Sequence, residues 1–317
     1  MCSKLGNVHH KYLLVVVGPT AVGKTSICID LAVALNAEII SADSRQFYQE
    51  MNVGTAKPSI DELSQVPHHL INSLSIHDDY NIVSFEKDAL AMIDTVHQEK
   101  DIAILTGGSG LYVKTVCEGI DDVPKTDEKI REELNQRFEA EGLSNLLEEL
   151  KNLDPVYFKK VDRHNPQRII RALEVCLTTG QPFSSFLREK KIQRPFKIIK
   201  VGLERERSEL YQRIDERMDQ MINIGLFEEA KKLYPFKKLN ALQTVGYKEI
   251  FDFMDGVYDE SEAVRLLKRN SRRYAKRQFT WFKKDDSIQW FHPDNFEEML
   301  NWIRTEILNT ENIHHSD

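Results

Sequence analysis

The stretch VVVGPTAVGKTS at residues 15 to 26 contains GPTAVGKT, which satisfies G-x-x-x-x-G-K-[ST] at residues 18 to 25. Gly18 and Gly23 let a backbone wrap closely around phosphate oxygens. N–H groups at the start of a following helix point at those oxygens, and Lys24 adds a compact positive charge. Pro19, Thr20, Ala21 and Val22 complete the loop, and the Thr25 hydroxyl stands where a Mg2+ ligand is needed. A nucleotide hydrolase also needs an acid at the end of a nearby strand to hold that metal. IAILTGG presents Thr106 at that place, whereas EIISAD delivers Asp43 just past another strand. Asp43 is therefore a metal holder, a base that takes a proton from an attacking group, or a turn aspartate before SRQ. Spacing leaves the three open.

A second chemistry is electrostatic. Residues 261 to 284, SEAVRLLKRNSRRYAKRQFTWFKK, hold one acid against nine Lys and Arg. On a helix, Arg265, Arg269, Arg272 and Lys276 form one stripe, which is the footprint of a phosphate-backbone binder or of a solvated face. Tyr274, Phe279, Trp281 and Phe282 are interleaved, as core residues or as platforms for bases. KKVDRHNPQRIIRALE repeats the basic theme, with Arg168 and Arg171 on one helical face.

These residues need a scaffold. YLLVVV (12–17), AEIISA (37–42), IAILTG (102–107) and KIIKVGL (197–203) read as buried parallel strands, with SIQWF (287–291) as an added edge strand. Ile27, Leu31, Ala34 and Leu35 give helical spacing between the first two, and strand, helix, strand implies a parallel α/β sheet flanked by helices. Residues 120–196 change character to helices, among them LSNLLEELKNL and one running from Pro166 to Gly180. They read as an inserted helical subdomain within a core of 1–119 and 197–317. Further on, Leu210, Ile214, Met218 and Met221 share one helix face.

Composition narrows the class. A chain of 317 residues, 41% hydrophobic and 29% charged, suits a globular protein of about two units and excludes a fibre or a linker. The apolar run near the N-terminus falls short of the roughly 20 residues a span requires, so a cytoplasmic protein off the membrane is expected. Cys2, Cys28, Cys117 and Cys176 are scattered, which indicates neither a disulfide framework nor a zinc ribbon. His68 and His69 face opposite ways on an extended chain and make a poor metal pair, while His314 and His315 read as a tail. A net charge of −7 excludes indiscriminate coating of nucleic acid and leaves local basic faces open.

Eight stretches in order, GPTAVGKT, ISADSRQFY, MNVGTAKPS, VPHHLI, LTGGSGLY, NPQRIIRALEV with TTGQP, LQTVGYKE and RRYAKRQFTWF, resemble the tRNA dimethylallyltransferases, also called tRNA isopentenyltransferases. They run from residue 18 to about 282, and no zinc-finger pattern follows, as in bacterial-type members. The resemblance implies a P-loop NTPase-like fold. It also implies transfer of a dimethylallyl group from its diphosphate to N6 of the adenosine on the 3′ side of the anticodon in tRNA, with Mg2+. Residues 18–25 then hold a leaving diphosphate, which explains a phosphate loop without the usual strand-end acid.

Under that resemblance Asp43 is the base, Arg217 in RIDERM faces the diphosphate with Arg213 as the alternative, and Thr20 is a loop hydroxyl near it. Ser109 stands where the family commonly has Thr. The resemblance gives tRNA contacts to Asp43, Ser44, Arg45 and Gln46, to Gln167, Arg168 and Arg171, to Gln243, and to Arg272, Arg273, Lys276 and Arg277. It implies a monomer whose partners are the anticodon stem-loop and dimethylallyl diphosphate. A P-loop kinase using ATP, a transferase acting on free AMP and an RNA-binding module without catalysis are the competing readings.

If about six phosphates are contacted, tRNA affinity falls with salt at a log-log slope of roughly −4 to −5. Filter binding across a salt series measures it, and a slope near zero counts against RNA as the partner.

Overall fold

The computed structural model describes residues 10–188 and 192–313; Cys2, His314 and His315 lie outside the described residues. The chain forms two compact units, one of residues up to Glu118 and from Arg194 onward, the other Gly119–Gln193. In the first unit β1 (Tyr12–Val17), α1 (Lys24–Leu35), β2 (Glu38–Ser41), α2 (Ile60–Gln65), β3 (His68–His69), α3 (Ile82–Glu99), β4 (Ile102–Gly107) and α4 (Gly110–Glu118) follow one another. The second unit carries α5 (Glu128–Glu141), α6 (Leu143–Leu153), α7 (Pro155–Lys160) and α8 (Pro166–Thr179). The first unit then resumes with β5 (Lys197–Leu203), α9 (Arg207–Asn223), α10 (Leu226–Leu233), α11 (Tyr247–Met254), α12 (Glu260–Phe282), β6 (Gln289–Phe291) and α13 (Phe296–Ile313).

The six strands make one sheet in the order β3-β2-β4-β1-β5-β6, parallel throughout. β1 lies inside it and is buried along its whole length, which is why YLLVVV shows no alternation. Tyr12, Leu14 and Val16 pack into the core shared with α1, the start of α9 and α13. Leu13, Val15 and Val17 point the other way, among Phe85, Ala89 and Ile93 of α3 and Val113 and Val116 of α4. Register sets the functional edge. Val17 pairs with Gly107 and with Gly202, and Ser41 pairs with Thr106. The loops after β1, β2 and β4 therefore leave the sheet at one level, the carboxyl edge where open α/β sheets bind ligands.

The four expected strands and the edge strand SIQWF are present, with β6 at the sheet margin. β3 is an addition. Two residues are too few for an alternation signal, and His68 and His69 gain their strand character from pairing with Ile39 and Ile40 of β2. His69 Nε2 meets Glu38 Oε2 at 2.6 Å, and Lys100 Nζ meets the other oxygen of that carboxylate at 3.1 Å. In α1, Ile27 and Leu31 are buried as expected but Ala34 is exposed; Ala32 takes the inward position. A third buried cluster joins Met218 and Met221 of α9 to α10, α11 and Leu267 of α12.

The second unit is helical and closes on its own core of Leu134, Leu146, Leu150, Ile169, Ile170 and Leu173. α8 starts where Asn165 Oδ1 accepts the Arg168 N–H at 3.2 Å and stops at Gly180, whose φ of 68° caps the helix. The unit ends at Gln193, short of the boundary at 196 expected from the return of strand character. The cause is Arg194, whose guanidinium donates to Val116 O at 2.8 Å and Thr115 O at 2.9 Å and pairs with Glu86, all in the first unit. A single arginine thus ties the chain to the core before the strand begins.

Leu13 is fully buried on the strand that carries the phosphate loop. Leu13→Ala is expected to cost about 2–5 kcal/mol, read as a lower denaturation midpoint in urea.

Candidate active site

The loop between β1 and α1 bends too sharply for ordinary residues. Gly18 has φ 154°, and a Cβ built there would lie 2.7 Å from Leu203 O, so only glycine fits against β5. Ala21 takes the left-handed φ of 64°, a conformation unfavourable for a residue with a Cβ. What holds this turn is positive charge on its carbonyl groups. Lys24 Nζ donates to Gly18 O at 2.9 Å and Pro19 O at 2.8 Å. Arg213 Nε donates to Ala21 O and Arg205 Nε to Val22 O, each at 3.0 Å. Arg217 donates through Nη2 to Thr20 Oγ1.

Burial pushes the Lys24 ammonium down to about 8, with the nearby Arg217 charge lowering it further and Asp43 opposing the shift. Burial likewise holds Arg217 below its ordinary value, against the pull of Asp43. A site that strips water from two cations favours an anion of high charge. Arg217 faces the loop because its acidic neighbours are occupied: Asp215 holds Arg272 Nη1 at 2.5 Å and Asp219 holds Lys268 Nζ at 2.6 Å. Arg213 is exposed and also serves the loop, so the two arginines of α9 hold different parts of one turn.

Asp43, just beyond β2, lines two hollows. One is shared with Lys24, Thr25, Ser41, His68 and Thr106. The other is shared with Thr20, Arg45, Arg217 and Tyr274 and has an apolar wall of Met218, Met221, Leu226 and Val245. Asp43 is a turn aspartate as well, since its Oδ1 accepts the Arg45 N–H at 2.9 Å. Ser109 Oγ accepts the Ser44 N–H at 3.1 Å, so the hydroxyl of the GGSG stretch fixes the turn that presents Asp43. Burial, with Asp43 adding to it, pushes the Tyr274 phenol up to about 12, keeping it a donor.

The residues assigned to tRNA divide. Arg273, Lys276 and Arg277 are exposed on one side of α12, and Gln167 and Arg168 are exposed on α8. Arg272 is drawn off to Asp215, and Arg265 to Glu262 at 2.6 Å, so the continuous stripe expected from spacing is broken by local ion pairs. Arg171 is held at 2.8 Å by Thr126 Oγ1 and at 3.3 Å by Glu174. Gln46 is spent internally, accepting from Ser41 Oγ and donating to Thr55 O and Ala56 O. Arg45 Nη1 reaches Asn240 O at 3.1 Å, and Gln243 Nε2 reaches Lys237 O at 2.5 Å. Of the aromatic residues, Phe282 is core, Trp281 packs among the residues under α4, and Phe279 stands edge-on to Trp290 at 5.3 Å.

Sequence reasoning missed Glu229, Arg205 and Gln278. Glu229 accepts the N–H groups of Asn52 and Val53 at 2.8 Å and of Gly54 at 2.9 Å, and the Tyr247 hydroxyl at 2.6 Å. It thereby fixes the segment 54–56 that walls the hollow beside Asp43. MNVGTAKPS and LQTVGYKE contain all four of its partners; nothing local marked a glutamate 175 residues away in sequence from Gly54.

A parallel sheet with a phosphate loop after its buried inner strand, a carboxylate at the same edge and cations turned onto the loop defines a P-loop transferase-type fold. The sequence matches the family described as IPP transferase over residues 46–285. It is 49% identical over 298 residues to a tRNA dimethylallyltransferase of Cytophaga hutchinsonii, covering 94% of this chain and 98% of that one. It is 51% identical to one of Christiangramia forsetii, over 93% of this chain and 98% of that one. The crystal structure of the full-length tRNA isopentenylpyrophosphate transferase of Bacillus halodurans superposes with a TM-score of 0.72 at 37% identity, covering 96% and 99% of the two chains. A eukaryotic dimethylallyltransferase acting on tRNA gives 0.75 at 27% identity over 89% and 74%. The chain belongs to the IPP transferase family.

Lys24 holds its proton only up to about pH 8, and an anion needs that proton in place. The advantage of the wild type over Lys24→Met in binding inorganic pyrophosphate is therefore expected to shrink as pH rises through about 8, measured by calorimetry. A ratio flat from below pH 8 to well above it contradicts the assignment.

Proposed function

We propose that this chain transfers a dimethylallyl group from dimethylallyl diphosphate to N6 of the adenosine 3′ of the anticodon in tRNA, releasing diphosphate. The observation that carries the reading is the position of Asp43. It stands in one hollow with the loop residue Thr20 and with Arg217, and in the other with Lys24 and Thr25. A carboxylate for the acceptor and cations for a leaving diphosphate thus meet at one sheet edge.

The exocyclic amine of adenine is a weak nucleophile because its lone pair is delocalised into the ring. As the bond from N6 to the allylic carbon forms, the bond from that carbon to the diphosphate oxygen breaks. Asp43 takes the N6 proton, a contribution of roughly 10² to 10⁴ in rate. Lys24, Arg217 and the Thr20 hydroxyl hold the negative charge that gathers on the diphosphate. The apolar wall of Met218, Met221 and Leu226 suits the five-carbon group and excludes water.

The donor set also fits Mg2+. Among the described residues no cluster of three acidic, His or Cys side chains could cage a metal. Thr25 lines the hollow beside Lys24, and its hydroxyl suits an ion that keeps waters and takes its other ligands from phosphate oxygens. Bound there it would neutralise diphosphate charge.

Arg273, Lys276 and Arg277 on α12 supply an exposed basic face for the RNA backbone, and Gln167 and Arg168 a second on the helical unit. The target base must leave its stack to reach Asp43. The reading takes the chain to act as a monomer. Among the described residues no helix is long and apolar enough to cross a membrane, and the reading places the reaction in the cytoplasm.

Incubation with labelled dimethylallyl diphosphate, Mg2+ and either unmodified tRNA or AMP tests the reading. Label is expected in tRNA; label in AMP alone overturns it. Asp43→Ala is expected to lower turnover roughly a hundredfold or more while tRNA binding persists, and near-normal turnover removes Asp43 as the base.

A further inference from the structure

We propose that Gln278 is a positioning residue for this reaction, a buried amide that holds three loops of the cleft in mutual register; the inference rests on the transfer proposed above. Gln278 lies on α12 within RRYAKRQFTWF, a stretch whose composition advertises nucleic acid, yet its side chain is buried. Its Oε1 accepts the Thr20 N–H of the phosphate loop at 2.8 Å. Its Nε2 donates to Gly108 O, beyond β4, at 2.9 Å. The next residue, Ser109, holds the Ser44 N–H beside Asp43. One amide therefore connects the loop that carries Thr20, the loop that carries Ser109 and, through Ser109, the turn that carries Asp43.

The chemistry of the amide is specific. One partner is an N–H and needs an acceptor, the other is a C=O and needs a donor, and a carboxamide offers both from a single planar group. The partners fix its orientation, with oxygen on Thr20 and nitrogen on Gly108. Glycine at 108 is part of the device, because a Cβ built there would overlap Gln278 Nε2. None of the three loops is held at these points by the sheet ladder, so their spacing depends on such cross-links. A shift of about 1 Å between reacting groups is enough to cost roughly a hundredfold in rate.

Three variants test this. Gln278→Glu keeps the acceptor and, when ionised, loses the donor to Gly108 O; a kcat lower by roughly ten- to a hundredfold is expected, with KM for tRNA little changed. Burial raises the introduced carboxyl's pKa, so lowering the pH protonates it and restores a donor, and the rate relative to wild type rises as pH falls from about 8 to about 6. Gln278→Met removes both bonds at similar volume and shows the loss without that recovery. Gly108→Ala breaks the contact from the opposite side and shows the same kcat loss.

A Gln278→Met variant with wild-type kcat, or a Gln278→Glu variant whose relative rate is flat with pH, overturns the proposal. If Gln278→Met does not fold, the pH profile of Gln278→Glu decides. Binding of inorganic pyrophosphate, followed by calorimetry, stands apart from transfer. Gln278→Glu above pH 8 is expected to bind it roughly tenfold more weakly than wild type, and equal affinity overturns the clamp. Should wild-type protein transfer no label to tRNA, the function proposed above fails, while this comparison still judges Gln278.

Discussion

Positive charge turned onto one sharp turn of backbone is the interaction on which the rest of the structure depends. Residues 18–22 run with Gly18 pressed against β5 and Ala21 in a left-handed conformation. Four cations meet their polar groups: Lys24 from α1, Arg205 beyond β5, and Arg213 and Arg217 from α9. Burial weakens the hold of Lys24 and Arg217 on their protons, so the turn is ready to accept a multiply charged anion. The sheet supplies a rigid edge, and α9 is placed to reach the loop because Leu210 and Ile214 are buried in the same core as β1.

α12 shows how one helix serves two ends. Ser271, Ala275, Gln278 and Phe282 follow helical spacing and are buried. Arg273, Lys276 and Arg277 fall between them and are exposed. The same 23 residues thus cross-link the catalytic loops on one face and offer charge to solvent on the other. A substitution in this helix alters chemistry or RNA affinity according to the face it occupies.

The longer strands and the helices α1, α6, α8, α9 and α12 were legible because their signals are local, whereas β3 and helices such as α3 and α13 were not read from the sequence. Buried parallel strands read as unbroken apolar runs, and α8 carries its own start at Asn165 and Pro166 and its stop at Gly180. The phosphate loop and Asp43 were legible for the same reason, each sitting in a short motif. The charges were harder. Arg265, Arg269, Arg272 and Lys276 are equivalent by spacing, but Asp215 claims Arg272 and Glu262 claims Arg265. Gln46, beside Asp43 in sequence, turns back to Thr55 and Ala56.

By itself the sequence determined the long parallel strands, several of the helices and which motif lies at the end of which strand, since periodicity, caps and glycine placement act over a few residues. It also sufficed, through eight ordered stretches, to point to the family. Only the tertiary structure decided which polar groups meet. Gln278 on Thr20 and Gly108, Glu229 on residues 52–54 and Arg217 on Thr20 join positions between about 170 and 260 residues apart. A hydrogen bond depends on distance in space, and sequence spacing carries that distance only within a helix, a turn or a single strand.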